Sequence, residues 1–210
     1  MAILRGARLR IKMACSPGEL PRVRPDRHEL TLSADAMHAK PVATTVPASS
    51  ALAASLPGAY FYDAWAIAPF DADATALELF LKVSAGTPGW VNTLMTLRNR
   101  VVSMLGLKNL GTLSGLDQAK PASAYQIGDR VGIFTLFANT PDEVLLGDRD
   151  KHLDVILSVH KAFDARSGKV LATVSTVVHV HNWLGRLYML PVTPLHRVIA
   201  PAVLRGAARA

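Results

Sequence analysis

Apolar residues alternate with other residues from Leu153 to Val159. Leu153, Val155, Leu157 and Val159 fall on one parity, and His152, Asp154, Ile156, Ser158 and His160 on the other. A period of two is the signature of a half-buried strand. A second alternating stretch runs from about Val170 to His181, with Ala172, Val174, Thr176, Val178 and Val180 against Leu171, Thr173, Ser175, Val177, His179 and His181. It is rich in the β-branched residues that strands favour. Between the two lies Asp164-Ala-Arg-Ser-Gly168, where Asp can bond its own backbone and Gly can supply a positive φ. Pairing Asp164 with Lys169 across a four-residue loop sets Asp154 opposite His179, His152 opposite His181, Ser158 opposite Ser175 and Val155 opposite Val178. A slip of one residue would set polar against apolar faces, so the pattern selects this register. The hairpin then has one dry face and one polar face.

The remaining pattern predicts a strand over 59–70, with Tyr60, Tyr62, Ala64 and Ala66 alternating with Phe61, Asp63, Trp65 and Ile67. A helix over 74–84 follows, capped by Asp73 or Asp71 and closed by Gly86. Thr87-Pro88 opens a second helix whose apolar residues, from Trp90 and Leu94 to Val101 and Leu105, recur at helical spacing. Residues 107–128 read as a loop and Arg130–Asn139 as one strand. Thr140-Pro141-Asp142 reads as a turn, Glu143–Gly147 as the start of a strand, and Asp148–Lys151 as a charged turn or bulge. At the C-terminus Pro191 is expected to interrupt a short helix. Thr193-Pro194 begins an amphipathic one carrying Leu195, Val198, Ile199, Ala202 and Val203, kinked at Pro201. The domain is therefore expected over residues 59–210, preceded by a flexible basic extension over 1–40 and a small-residue linker over 41–58 with one possible helical turn. Met13 and Met37 are alternative starts within the extension.

Composition narrows the class. The 210 residues are 50% hydrophobic, enough for one large core. No apolar run reaches about 18 residues free of charge, so no membrane span is expected. The single cysteine, Cys15, excludes an intramolecular disulfide, and with no secretory pattern this points to the cytoplasm. The net charge of +7 is unevenly spread. Residues 1–40 hold eight Lys/Arg against four Asp/Glu, and after Asp164 six Lys/Arg stand with no acid. Such basic ends could meet nucleic acid or anionic lipid, or form an ordinary basic surface. No aromatic-interleaved basic patch or nucleic-acid motif is present, so nucleic acid is not expected as a partner.

The candidate chemistry lies at one end of the hairpin, where His152, Asp154, His179 and His181 converge. A carboxylate and an imidazole on paired strands can share a proton, hold a metal or orient a ligand. They can equally be a weak contact on a solvated face. His152, Asp154 and His179 are the catalytic candidates. His152, His179 and His181 are weak metal candidates, since no HxxxH or HExxH spacing supports them. Arg186, able to bind a carboxylate or phosphate bidentately, joins His181, Asn182, Tyr188 and His196 as a candidate ligand-binding group at a cavity mouth. Its alternative is a salt bridge to Asp148, Asp150 or Asp154. There is no P-loop, GxSxG, CxxC, EF-hand loop or GxGxxG, so no cofactor is expected.

Several stretches resemble the bacterial family catalogued as domain of unknown function 2867: Trp90–Arg100, Val131–Phe134, Glu143–Gly147, His152-Leu-Asp154, and His181–Tyr188 with Pro194-Leu-His196. The resemblance spans about residues 56–208. It implies an α+β helix-grip (START-like) fold, in which a curved antiparallel sheet wraps around a long C-terminal helix, with two short helices after the first strand. It also implies kinship with lipid carriers and polyketide cyclases of the SRPBCC superfamily, without implying a reaction. Similar domains sometimes stand beside short-chain dehydrogenase-like domains. Three expectations follow. The first is a binder of a small hydrophobic molecule. The second is a cofactor-independent cyclase, dehydratase or lyase using His152 or His179 with Asp154 as base. The third is a protein-interaction module, for instance a homodimer or the partner of a dehydrogenase-like protein.

Overall fold

The central hairpin forms as its alternation demands. In the computed structural model, which describes residues 40–67, 73–104, 116, 120–164 and 169–207, seven strands make one antiparallel sheet. They are β1 (Val42–Ala43), β2 (Phe61–Ile67), β3 (Arg130–Val131), β4 (Phe134–Asn139), β5 (Glu143–Arg149), β6 (Leu153–Asp164) and β7 (Lys169–Val180), in the spatial order β1-β2-β7-β6-β5-β4-β3. The fold is α+β, a curved open sheet with a C-terminal helix, consistent with a helix-grip-like architecture. Strands β6 and β7 pair in the register the alternation selects: Asp164 opposite Lys169, Ser158 opposite Ser175, Val155 opposite Val178 and Asp154 opposite His179. The His181 amide donates to the His152 carbonyl at 2.9 Å and continues the ladder past the strand end.

One parity of every long strand turns to the inside. On β2 it is Phe61, Asp63 and Trp65, which stand opposite Val178, Thr176 and Val174. On β5 it is Val144, Leu146 and Asp148, opposite Val159, Leu157 and Val155. Three helices cover this face. The first, α1 (Ala76–Ala85), begins at a capping box in which Thr75 and Glu78 each satisfy the other's backbone N–H. This cap replaces the one expected at Asp73 or Asp71: threonine stands three residues before a glutamate, while Asp71 lies outside the described residues. Helix α1 buries Leu79, Phe80 and Val83, and Phe80 meets Phe134 edge-to-face at 6.2 Å. Helix α2 (Gly89–Met104) buries Val91 and leaves Trp90 and Leu97 exposed.

Helix α3 (Trp183–Ala207) is continuous, and the interruption expected at Pro191 does not occur. Each proline removes one N–H, so Pro191, Pro194 and Pro201 free the carbonyls of Leu187, Leu190 and Arg197. All three residues are exposed, so water can take up the lost bonds. Trp183–Gly206 is also long and apolar enough to cross a membrane by length and composition, with a window of mean hydropathy 1.3. Counting charge-free runs missed this, because Arg186 and Arg197 interrupt them. The two ends of α3 are seated by glycines. A Cβ on Gly185 would overlap the His152 carbonyl, and one on Gly206 would overlap the Gly86 carbonyl.

Three further differences concern the sheet. The expected single strand 130–139 is two strands, because Gly132, at φ +59°, turns the chain back between them. Asp148 and Arg149 continue β5, and the turn falls at Asp150, whose carboxylate accepts from the amides of His152 and Leu153. The stretch 41–58, expected as a linker with one possible helical turn, also supplies β1 along the free edge of β2, and its helical turn is a short 3-10 helix (Ala51–Ser55) that buries Leu52 against the outer face. The extension over 1–40 lies outside the described residues but for Lys40.

Candidate functional site

Between the inner face of the sheet and the three helices lies a cavity of about 300 Å³. Its walls are mainly aliphatic and aromatic, with Val155, Leu157, Val174 and Val178 from the hairpin and Met189, Val192 and Ile199 from α3. The alternation that builds the hairpin thus also builds the pocket, because the dry parity faces inward. Polar side chains border it as well, Arg98, Asp150, His152 and Thr176 among them, and three polar groups are held by partners that fix their orientation.

The first polar group is His196 on α3. Its Nε2 lies 3.2 Å from both carboxylate oxygens of Asp63 on β2, and both side chains are largely buried. Asp63 also accepts from the Trp65 indole N–H at 2.9 Å, and Phe61 holds the imidazole edge-to-face at 5.4 Å. A carboxylate can only accept, so the contact requires a proton on Nε2 and leaves Nδ1 as the other hydrogen-bonding nitrogen of the ring. An oriented histidine on an apolar wall can accept a hydrogen bond or a proton from a bound molecule. The second group is Tyr188, about one turn before the cavity-lining Val192 of α3. Its hydroxyl accepts from Arg98 Nε of α2 at 3.1 Å, and the guanidinium lies 5.4 Å from the ring centroid. Arg98 also donates to the buried Asn99 at 2.8 Å. The third is Asp148, a buried carboxylate whose charge is met by Arg130 at 3.2 Å.

The residues singled out from sequence separate between the two faces. His152, Tyr188 and His196 line the cavity. Asp154 and His179 stand on the outer parity, and neither lines the cavity. Asp154 pairs with His181 at 3.2 Å, while His179 Nε2 donates to the Ser55 carbonyl at 2.8 Å. Asn182 is the N-cap of α3, accepting from the Gly185 amide at 3.1 Å, and its side chain also meets His152 Nδ1. Arg186 is exposed, away from the cavity; the acids expected as its partners are engaged elsewhere. The histidines among the described residues therefore do not gather: each finds a different partner. Among the described residues no group of three or more His, Cys, Asp or Glu could hold a metal ion.

The outer face has a polar cluster of its own. Glu143 accepts from Ser50 at 2.5 Å, Ser158 at 2.6 Å and the Ala51 amide at 2.9 Å, and Ser49 lies 3.2 Å from His160. Burial would raise the Glu143 carboxyl, but the three hydrogen bonds and nearby His160 outweigh it and hold it below its ordinary 4.5. This cluster fastens the 3-10 segment to the sheet.

Sequence reading missed Asp63. The signal was an acid on the same parity as Phe61 and Trp65, since a carboxylate on an inward parity must find a donor. Its partner is 133 residues away, where no local pattern leads. Comparison with curated proteins and with solved structures finds no match. Residues 55–203, most of the chain, match the profile described as protein of unknown function (DUF2867), and the chain belongs to that family.

Proposed function

We propose that the chain binds a small, largely apolar molecule in the cavity between the sheet and the helices. The observation that carries this reading is the lining itself: an aliphatic and aromatic pocket at the lower end of the size range of ligand sites, with a few oriented polar groups. His196, set by Asp63, and Tyr188, set by Arg98, would hold the polar group of that molecule. The test is a titration with the fluorescent apolar anion anilinonaphthalene sulfonate. Val155→Phe adds bulk to the pocket wall from β6, two strands away from Asp63 on β2. Saturable binding to the wild type, weakened at least about tenfold in Val155→Phe by loss of apolar contact, is the expected result. Equal binding to both proteins would remove the cavity as the site.

The Asp63–His196 pair favours a second reading, a proton-transferring enzyme of the cyclase, dehydratase or lyase type. There His196 is the base and Asp63 its positioning residue. Under it, His196→Gln keeps ligand affinity within a few fold and abolishes turnover of the bound molecule. Under simple binding the variant changes affinity alone.

A further inference from the structure

Helix α3 is apolar on two sides. Its inner side lines the cavity. On the outer side Trp183, Leu187, Leu190, Pro191, Pro194 and Val198 follow one another at intervals of one, three or four residues and form a stripe over the first four turns. Trp183 is 73% exposed and Leu190 65%. Only 17% of the apolar window of this helix is buried, and solvent-facing large side chains in one continuous row need a partner.

Charge says which partner. Helix α3 contains no Asp or Glu, and Arg186 and Arg197 stand together along one edge of the stripe, three turns apart. A two-fold antiparallel pairing of two such stripes would set Arg186 of one copy beside Arg197 of the other, with no acid on the helix to separate them. Like charges brought together in this way oppose a dimer through this face. An anionic bilayer meets every feature: the stripe enters the headgroup boundary, Trp183 sits at the interface, and the arginines reach lipid phosphates. We infer that the outer stripe of α3 is a docking surface for anionic membranes, with the helix lying in the interface rather than crossing it. Because the opposite side of α3 lines the cavity, docking would bring the pocket to the bilayer, where apolar molecules reside.

The test is co-sedimentation of the full chain with vesicles of phosphatidylcholine alone and of phosphatidylcholine with one-third phosphatidylglycerol. Three proteins are compared: the wild type, Leu190→Glu, and the double variant Arg186→Glu/Arg197→Glu, each with its melting curve. The wild type is expected on the anionic vesicles. Loss is expected to be at least about tenfold in Leu190→Glu, and about fivefold for each arginine charge removed, more on reversal. All three positions are exposed, so the melts should coincide; Trp183→Ala serves as a second apolar variant if Leu190→Glu does not fold. Absence of binding to anionic vesicles overturns the inference. So does binding that the variants leave intact, which would assign it to another surface. A two-chain mass in sedimentation velocity that Leu190→Glu dissociates, without vesicle binding, would give the stripe to a second copy instead. Because none of these variants touches the pocket lining, the ligand titration can fail or succeed independently of this experiment.

Discussion

Replacing Asp63 by alanine removes the acceptor of two half-buried donors at once. The Trp65 indole N–H and the His196 Nε2–H both point at this carboxylate, at 2.9 and 3.2 Å. A donor left without an acceptor in a buried place costs about 1–3 kcal/mol. The Asp63 side chain retains 16% exposure, so some water can enter the vacated space, and the loss should fall in the lower half of that range for each donor. The sum is about 2–4 kcal/mol, or about 4–16 °C in melting temperature for a domain of this size. Asp63→Asn keeps one oxygen and should lose about half as much. The assay is urea and thermal unfolding followed by circular dichroism on wild type, Asp63→Ala, His196→Ala and the double variant. If the pair acts as drawn, Asp63→Ala costs clearly less once His196 is gone, with a coupling energy of about 1 kcal/mol or more. An Asp63→Ala variant within about 0.5 kcal/mol of the wild type, or strict additivity, would refute the pairing and with it the oriented histidine.

The other predictions concern how the frame is held. Gly185→Ala should lower stability by about 1–3 kcal/mol, because the new Cβ meets the His152 backbone carbonyl and α3 must lift away from the hairpin; a melting temperature equal to the wild type would contradict this close seating. Thr75→Ala should cost about 1 kcal/mol through loss of the α1 cap, measurable in urea, while a neutral result would mean that Glu78 alone caps the helix. Glu143 is held below 4.5, so the stability it contributes is complete above that value and is lost as pH falls through its folded pKa. Unfolding series in urea at stepped pH should therefore show a steeper acid loss for the wild type than for Glu143→Gln, and parallel curves would place the hydrogen bonds of Ser50 and Ser158 outside the stability balance.

The hairpin was legible because twelve residues on each strand repeat one parity and a one-residue slip is penalised at every position. What the alternation could not say is which face meets the helices. The polar face attracted attention through Asp154, His179 and His181, but a solvent-side location satisfies those groups locally, with Ser55 and with each other. The dry parity of the same strands makes the pocket. Helix α3 was legible as amphipathic but not as continuous, because three prolines read as breaks when nothing shows that the freed carbonyls lie on exposed residues. The turn at Gly132 was hidden inside an alternating run, where only a positive φ distinguishes a corner from a strand. Asp63 and His196 meet only through the tertiary packing of β2 against α3, and neither carries a local motif. His152 and Tyr188 were picked from sequence and do line the cavity, though His152 does so from the turn before β6 and in contact with the α3 N-cap rather than as part of a histidine cluster.

The central claim is that the cavity holds an apolar molecule, and native mass spectrometry of the freshly purified chain, with extraction under denaturing conditions, tests it most directly. The expected result is a population heavier than the polypeptide by one small molecule, which is released on denaturation, extracts into organic solvent and is depleted in Val155→Phe. A polypeptide mass alone in the wild type, unchanged after incubation with apolar carboxylates and sterols, or an adduct retained equally by Val155→Phe, would contradict it.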